Sequence, residues 1–72
     1  MSQVVRAEMV ASVHSVLVTV DEPVDEGATL VILESMKMEI PVLSPCAGRV
    51  ASLTVGEGDD VSEGQQVATV EA

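Results

Sequence analysis

The chain has no phenylalanine, tyrosine or tryptophan among its 72 residues, and only one lysine, one cysteine and one histidine. Without aromatic side chains, its core has to be aliphatic, and valine is the commonest residue. Valine's branched Cβ suits pleated sheet better than helix, so the composition predicts an all-β protein. A chain this short buries only about 60% of the surface that its unfolded form exposes, so we expect a single small domain spanning residues 1–72.

Positive charge is scarce. Three cations, Arg6, Lys37 and Arg49, stand against twelve carboxylates, which gives a net charge of −9. Such a surface repels the phosphates of DNA and RNA, so nucleic-acid binding is excluded. The acidity favours solubility, or an encounter with a positively charged surface on another protein.

Cysteine and long apolar runs are equally scarce. Cys46 has no second cysteine for a disulfide or a metal site, which suits a reducing compartment and a small, buried apolar role. The first residues, MSQVVRAEM, lack the pattern of a signal peptide, and no run of about 18 apolar residues could cross a membrane. We therefore expect a cytoplasmic protein without a membrane partner.

The sequence contains an internal repeat with a period of 37 residues. The segment 24–34 (VDEGATLVILE) aligns with 61–71 (VSEGQQVATVE), and the apolar positions upstream also coincide. Two units are too few for an open solenoid, so the repeat predicts two halves related by a pseudo-twofold axis.

The apolar positions reverse parity once in each half, near His14/Ser15 and near Ala51/Ser52. One extra residue in a strand moves every later side chain to the other face, so a β-bulge is predicted at both places, in a bent strand that crosses between two sheets. Turn residues separate short β-prone runs, and no helix is needed. The expected fold is a flattened β-barrel or sandwich of two small antiparallel sheets, with strands at about 3–7, 11–20, 29–34, 39–43, 48–55 and 66–71 and short extensions after each acidic turn.

The chain should reverse between the half-repeats, in the segment 34–43 (ESMKMEIPVL). If Met36 and Lys37 are the central residues of a two-residue turn, apolar residues pair across the strands below them. That register pairs Ser35 with Met38, Glu34 with Glu39, Leu33 with Ile40, and Val31 with Val42.

Two features beside Lys37 are locally unfavourable. Such turns need positive φ and prefer Gly or Asn, whereas here they contain Met36 and Lys37. Glu34 opposite Glu39 is a pair of like charges. Local conflicts of this kind are expected where function overrides folding.

The string ESMKME, residues 34–39, resembles the attachment sequence of the biotinyl/lipoyl attachment domain family. In that family a lysine between two methionines lies at the tip of a hairpin in a two-sheet β-barrel with twofold pseudosymmetry. The family's downstream Pro-x-x-Gly-x-Val element, eight residues after the lysine, is matched by Pro45, Gly48 and Val50. The chain is similar to the small stand-alone carriers that this family has in actinobacteria.

The resemblance implies that biotin is attached covalently to Lys37 by a separate biotin protein ligase. It implies a carrier and not an enzyme: a biotin carboxylase would carboxylate the biotin, and a carboxyltransferase would pass the carboxyl group to an acceptor such as an acyl-CoA. The residues expected to be recognised around the attachment site are Glu34, Ser35, Met36, Met38 and Glu39.

Two alternatives stay open. A lipoyl carrier has the same fold, although its turn usually reads Asp-Lys-Ala, whereas Met36 and Met38 flank Lys37 here. An unmodified adaptor could use the hairpin only for contacts. A small enzyme is not supported, because no Ser/His/acid set, phosphate loop or metal cluster can be assembled from the sequence, and His14 is expected to be an exposed strand residue.

Overall fold

A computed structural model describes all 72 residues. The chain forms eight β-strands joined by turns and loops, and it contains no helix. No helix is therefore present that could span a membrane. The strands are β1 (Ser2–Arg6), β2 (Ala11–Val16), β3 (Pro23–Val24), β4 (Thr29–Ser35), β5 (Met38–Leu43), β6 (Gly48–Leu53), β7 (Asp60–Val61) and β8 (Gln66–Glu71).

The strands form two antiparallel four-stranded sheets, one ordered β1-β8-β6-β3 and the other β5-β4-β2-β7. The molecule measures 33 × 18 × 17 Å. The buried side chains of both sheets form one cluster of 14 aliphatic residues, so the sheets pack face to face around a single core. The predicted fold, a flattened barrel or sandwich of two small antiparallel sheets, is confirmed.

The two halves of the chain have the same strand pairing. Val13 pairs with Leu33 where β2 meets β4, and 37 residues later Val50 pairs with Val70 where β6 meets β8. The short strands follow the same rule, because β7 pairs with β2 as β3 pairs with β6. The repeat in the sequence is therefore a repeat of hydrogen-bond register, as a pseudo-twofold barrel requires.

Both predicted β-bulges are present. The register shifts between Val13 and Ser15 in β2, and between Val50 and Ser52 in β6. Each bulge accounts for the change of parity, because the extra residue turns the following side chains to the opposite face.

Two of the predicted strands are shorter than expected. The run predicted at 11–20 ends at Val16, and the run predicted at 48–55 ends at Leu53. The Leu17 amide still donates to the carbonyl oxygen of Leu30 on β4 at 2.9 Å, but the amide of Asp21 already donates to the carbonyl oxygen of Val50 in the other sheet at 2.7 Å. The crossing between sheets thus lies beyond the bulge, between Leu17 and Asp21, and not at the bulge itself.

The core is aliphatic throughout. Its most completely buried large side chains are Leu30, Val31, Leu33, Val50, Val61, Val67 and Val70. Five of these lie on β4 and β8, the second strand of each sheet, where neighbouring strands on both sides exclude water. Cys46 is half-buried against this core as a free thiol, so its predicted burial is only partial.

Gly48 explains why glycine stands in the Pro-x-x-Gly-x-Val element. A Cβ atom at this position would overlap the backbone carbonyl of Glu71, on the neighbouring strand β8. The overlap is with backbone on both sides, so no side-chain rotation could relieve it. Only glycine lets β6 and the end of β8 approach this closely.

We expect Gly48→Ala to lower the free energy of unfolding by about 1–3 kcal/mol, because the added methyl group forces the two strands apart. Gly56→Ala is the matched control, since a Cβ there meets only the Asp59 carboxylate at ordinary contact distance. Urea unfolding of both variants measures the difference. Equal stability of the two variants would show that the approach of β6 to β8 is not a constraint on the fold.

Candidate functional site

The hairpin between β4 and β5 has the predicted register. Glu34 pairs with Glu39, Ser35 pairs with Met38, and Met36 and Lys37 are left as the two central turn residues. The apolar pairs predicted below them, Leu33 with Ile40 and Val31 with Val42, are also present.

The backbone at the tip is strained. Met36 has φ = 52° and Lys37 has φ = 66°, and Asp21 is the one other residue besides glycine with positive φ. Positive φ at both central residues is the requirement of the tight hairpin turn, which normally takes Asn and Gly. Each side chain held in this region costs about 1 kcal/mol or more. The expected conflict between turn geometry and residue type is therefore real.

The base of the hairpin is firmly held. Leu33 is 1% exposed and Val31 is fully buried. Strand β4 lies between β5 and β2, so it is hydrogen-bonded on both sides up to the start of the turn. The strained turn is therefore attached to a strand whose backbone has little freedom to move.

The side chains of the tip are open to solvent. Met36 is 89% exposed and Met38 is 61% exposed. Lys37, Glu34 and Glu39 are exposed as well, whereas Ser35 is half-buried. The Lys37 ammonium forms no ion pair, so its Nζ atom is free to meet another molecule.

One group of residues near the hairpin was not predicted from the sequence. His14 Nε2 lies 3.8 Å from the Glu39 carboxylate, and His14 Nδ1 lies 3.4 Å from the Ser15 hydroxyl. A serine, a histidine and a carboxylate are therefore neighbours here. His14 is exposed, as predicted.

This set does not have the geometry of a catalytic triad. Both distances exceed the 2.6–3.2 Å or so that proton transfer requires. His14 and Glu39 are about half exposed, with side-chain exposures of 45% and 59%, and none of the three residues lines either concave region of the surface. The arrangement is best described as an exposed polar contact on the outer face of the sheet.

The loop between β1 and β2 adds an apolar surface at the hairpin end of the barrel, which was also not predicted. Ser12, just after this loop, pairs with Glu34 just before the turn. Within the loop Val10 is 71% exposed and Met9 is 37% exposed.

Comparison with known proteins agrees with this geometry. Residues 2–72 match the family model described as Biotin-requiring enzyme. The Biotinylated protein TB7.3 homolog of Mycobacterium leprae is 47% identical over 70 residues, which cover 97% of this chain and 99% of that protein.

Two solved carboxylases contain a region of the same structure. The crystal structure of Kluyveromyces lactis urea carboxylase superimposes with a TM-score of 0.93 and 25% identity, and covers 99% of this chain but 6% of the carboxylase chain. A single-chain, multi-domain long-chain acyl-CoA carboxylase superimposes with a TM-score of 0.90 and 28% identity, over 99% of this chain and 7% of that one.

The family model spans nearly the whole chain, and the mycobacterial relative aligns over nearly the whole length of both proteins. The chain therefore belongs to the biotin/lipoyl family described as Biotin-requiring enzyme.

Proposed function

We propose that Lys37 carries a covalently attached biotin and that the chain is a biotin carboxyl carrier, not an enzyme. The observation that carries this proposal is the position of Lys37. The only lysine of the chain stands exposed at the tip of a strained hairpin, above the buried Leu33. Membership of the family and the name of the mycobacterial relative, a biotinylated protein, support biotin as the attached group.

Attachment requires only a free amine from this chain. A biotin protein ligase would present biotin as its adenylate, and Lys37 Nζ would attack the acyl carbon. The amide C–N bond forms, the acyl–phosphate bond breaks, and AMP leaves. Because no side chain of the carrier pairs with Nζ, the ligase has to supply the base that accepts the amine's proton.

The residues beside Lys37 provide a surface for the ligase. Met36 and Met38 project polarizable apolar side chains into water on both sides of the lysine, and such side chains fit readily into a partner's pocket. Glu34, Ser35 and Glu39 surround them with polar groups. We assign recognition to these five residues, because none of them is needed to fill the core.

The carboxylase chemistry would belong to partner proteins. When bound, biotin accepts a carboxyl group at a biotin carboxylase and releases it at a carboxyltransferase. The carrier's contribution is a rigid base and a tether, which raise the local concentration of the reacting group at both enzymes. The two similar solved structures are carboxylases in which such a region is a small part, which supports separate carboxylase subunits as the partners of this chain.

We propose an acyl-CoA as the acceptor. One of the two similar solved structures is a long-chain acyl-CoA carboxylase, which supports this class of acceptor. We also propose the cytoplasm as the compartment, since the free thiol of Cys46 suits reducing conditions.

The lipoyl alternative is disfavoured by the residues at the tip and not by the fold. The turn contains Met36 and Lys37 and is followed by Met38, whereas a lipoyl turn usually has an acid before the lysine and alanine after it. An unmodified adaptor would not need a lysine at the strained position, where Asn or Gly would be more stable.

Incubation with a biotin protein ligase, biotin and ATP should add one biotinyl group to the protein, measured as intact mass, and peptide mapping should find it on Lys37. Lys37→Arg is the control, because it keeps the positive charge and removes the acylable amine. We expect complete loss of the adduct in this variant. A lipoyl adduct from cells supplied with both ligases, or a wild-type protein that stays unmodified, would contradict the proposal.

Met36→Asn should separate the stability of the turn from its recognition. Asparagine tolerates positive φ better than methionine, so the free energy of unfolding should rise by roughly 0.5–1 kcal/mol. The kcat/KM for biotinylation should fall by about tenfold or more, since a buried methionine contributes at least 1.4 kcal/mol at an interface.

Met38→Asn is the matched variant for this measurement. Met38 belongs to β5 and does not have positive φ, so its replacement should lower kcat/KM without raising stability. An unchanged kcat/KM in both variants would remove the methionines from the recognised surface.

A further inference from the structure

A groove runs between the outer edges of the two sheets, where β1 and β5 face each other without hydrogen bonds. Its volume is about 450 Å³. Apolar side chains form most of the wall, among them Val4, Val5, Met9, Ile40, Val42 and Leu43. Three of them are exposed although they are large and hydrophobic, with Val4 at 46%, Met9 at 37% and Leu43 at 50%. The groove therefore offers apolar surface that the fold itself does not cover.

The edge strand at this groove is unsuited to pairing with a strand of another protein. Pro41, in the middle of β5, has no backbone N–H and cannot complete a ladder of hydrogen bonds. Proline on an edge strand is a recognised device against edge-to-edge association. A small, mainly apolar group is a better match for the groove than an added β-strand.

The groove begins close to the attachment site. Ile40 is three residues from Lys37, which corresponds to about 10 Å along a strand. The lysine side chain and the aliphatic chain of biotin together contain about eleven single bonds, which extend to roughly 14 Å. A biotin on Lys37 can therefore reach the Ile40 end of the groove.

The walls of the groove also contain two polar groups at its β1 side. Arg6 donates one N–H from Nη1 to the carbonyl oxygen of Gly64 at 2.9 Å and has further N–H groups in its guanidinium. Glu8 is exposed, and its carboxylate forms no ion pair. The ureido ring of biotin has a carbonyl acceptor and two N–H donors, so a guanidinium and a carboxylate are complementary to it.

We propose that the β1/β5 groove is a resting site for the protein's own biotin group, with the apolar wall holding the aliphatic chain and thiophane ring and Arg6 and Glu8 facing the ureido ring. The proposal rests on the attachment of biotin to Lys37. In this proposal the carrier is more than a passive tether, because the docked biotin is shielded from solvent until it binds to a partner enzyme.

Weak binding suffices for such a site. A group on a short flexible tether has an effective concentration in the millimolar range. A groove with a dissociation constant of about 1 mM for the free group would be half occupied by the tethered one. The resting state would then divide about equally between docked and extended arms, so partner enzymes keep access to the arm.

The test uses biotin attached chemically, so that it does not depend on a ligase. Because Lys37 is the only lysine, the α-amine of Met1 is the one other amine that an active ester of biotin can acylate, and the protein acylated at Lys37 alone is isolated by chromatography and identified by peptide mapping. In protein with isotopically labelled methyl groups, we expect nuclear Overhauser contacts between biotin methylene protons and the methyl groups of Met9 and Ile40, which line the hairpin end of the groove.

Met9→Glu should abolish these contacts, since it places a charge on the apolar wall at a partly exposed position near the hairpin. Leu43→Glu on the opposite wall is a second variant in case the first fails to fold, and Val20→Glu is the control, because Val20 is 51% exposed but lies outside the groove. The rate of capture by avidin should rise up to about twofold in the two groove variants and stay unchanged in the control.

Groove methyl resonances identical in acylated and unmodified protein, without contacts to biotin, would overturn the resting site. A capture rate that both groove variants leave unchanged would do so as well. Neither result bears on the function of Lys37, because failure of that proposal would be seen as a missing adduct after treatment with ligase, and not as an empty groove in chemically acylated protein.

Discussion

The pairing of Leu33 with Ile40 across β4 and β5 is the interaction on which the site depends. It seats the last buried side chain of β4 directly below a turn whose two central residues have unfavourable backbone conformations. Without it, the turn could relax by moving those residues out of the positive-φ region, and Lys37 would lose its fixed position. Apolar burial below the tip thus stabilises a geometry that the tip's own residues disfavour.

The pseudo-twofold symmetry gives the hairpin an internal comparison. Moving Lys37 by one repeat places its equivalent beyond Ala72, where the two chain ends meet and the Ala72 amide donates to the Met1 carbonyl oxygen. One end of the barrel is therefore a closed hairpin with an exposed lysine, and the other is the junction of the termini. The two ends share a strand register, and an exposed lysine on a hairpin is present at one of them.

Much of this could be predicted from the sequence, because the repeat fixes which strands are equivalent and the apolar pairs fix their register. The ends of the strands were harder to predict than their register. The apolar pattern of β2 continues through Leu17, Val18 and Val20, although the strand itself ends at Val16 and the chain then crosses between the sheets. The contact of His14 with Glu39 was missed because β2 and β5 lie on opposite sides of β4, a neighbourhood that depends on sheet order. The groove was missed because its width depends on the distance between two sheet edges.

Transfer of a labelled carboxyl group tests the account of this chain as a carrier most directly. The biotinylated protein would be incubated with a biotin carboxylase, ATP and radiolabelled bicarbonate, then isolated and mixed with a carboxyltransferase and an acyl-CoA. The account predicts that label appears on wild-type protein but not on Lys37→Arg, and that it moves to the acyl-CoA. Biotinylated protein that never acquires label, or that keeps its label with every acceptor offered, would contradict it.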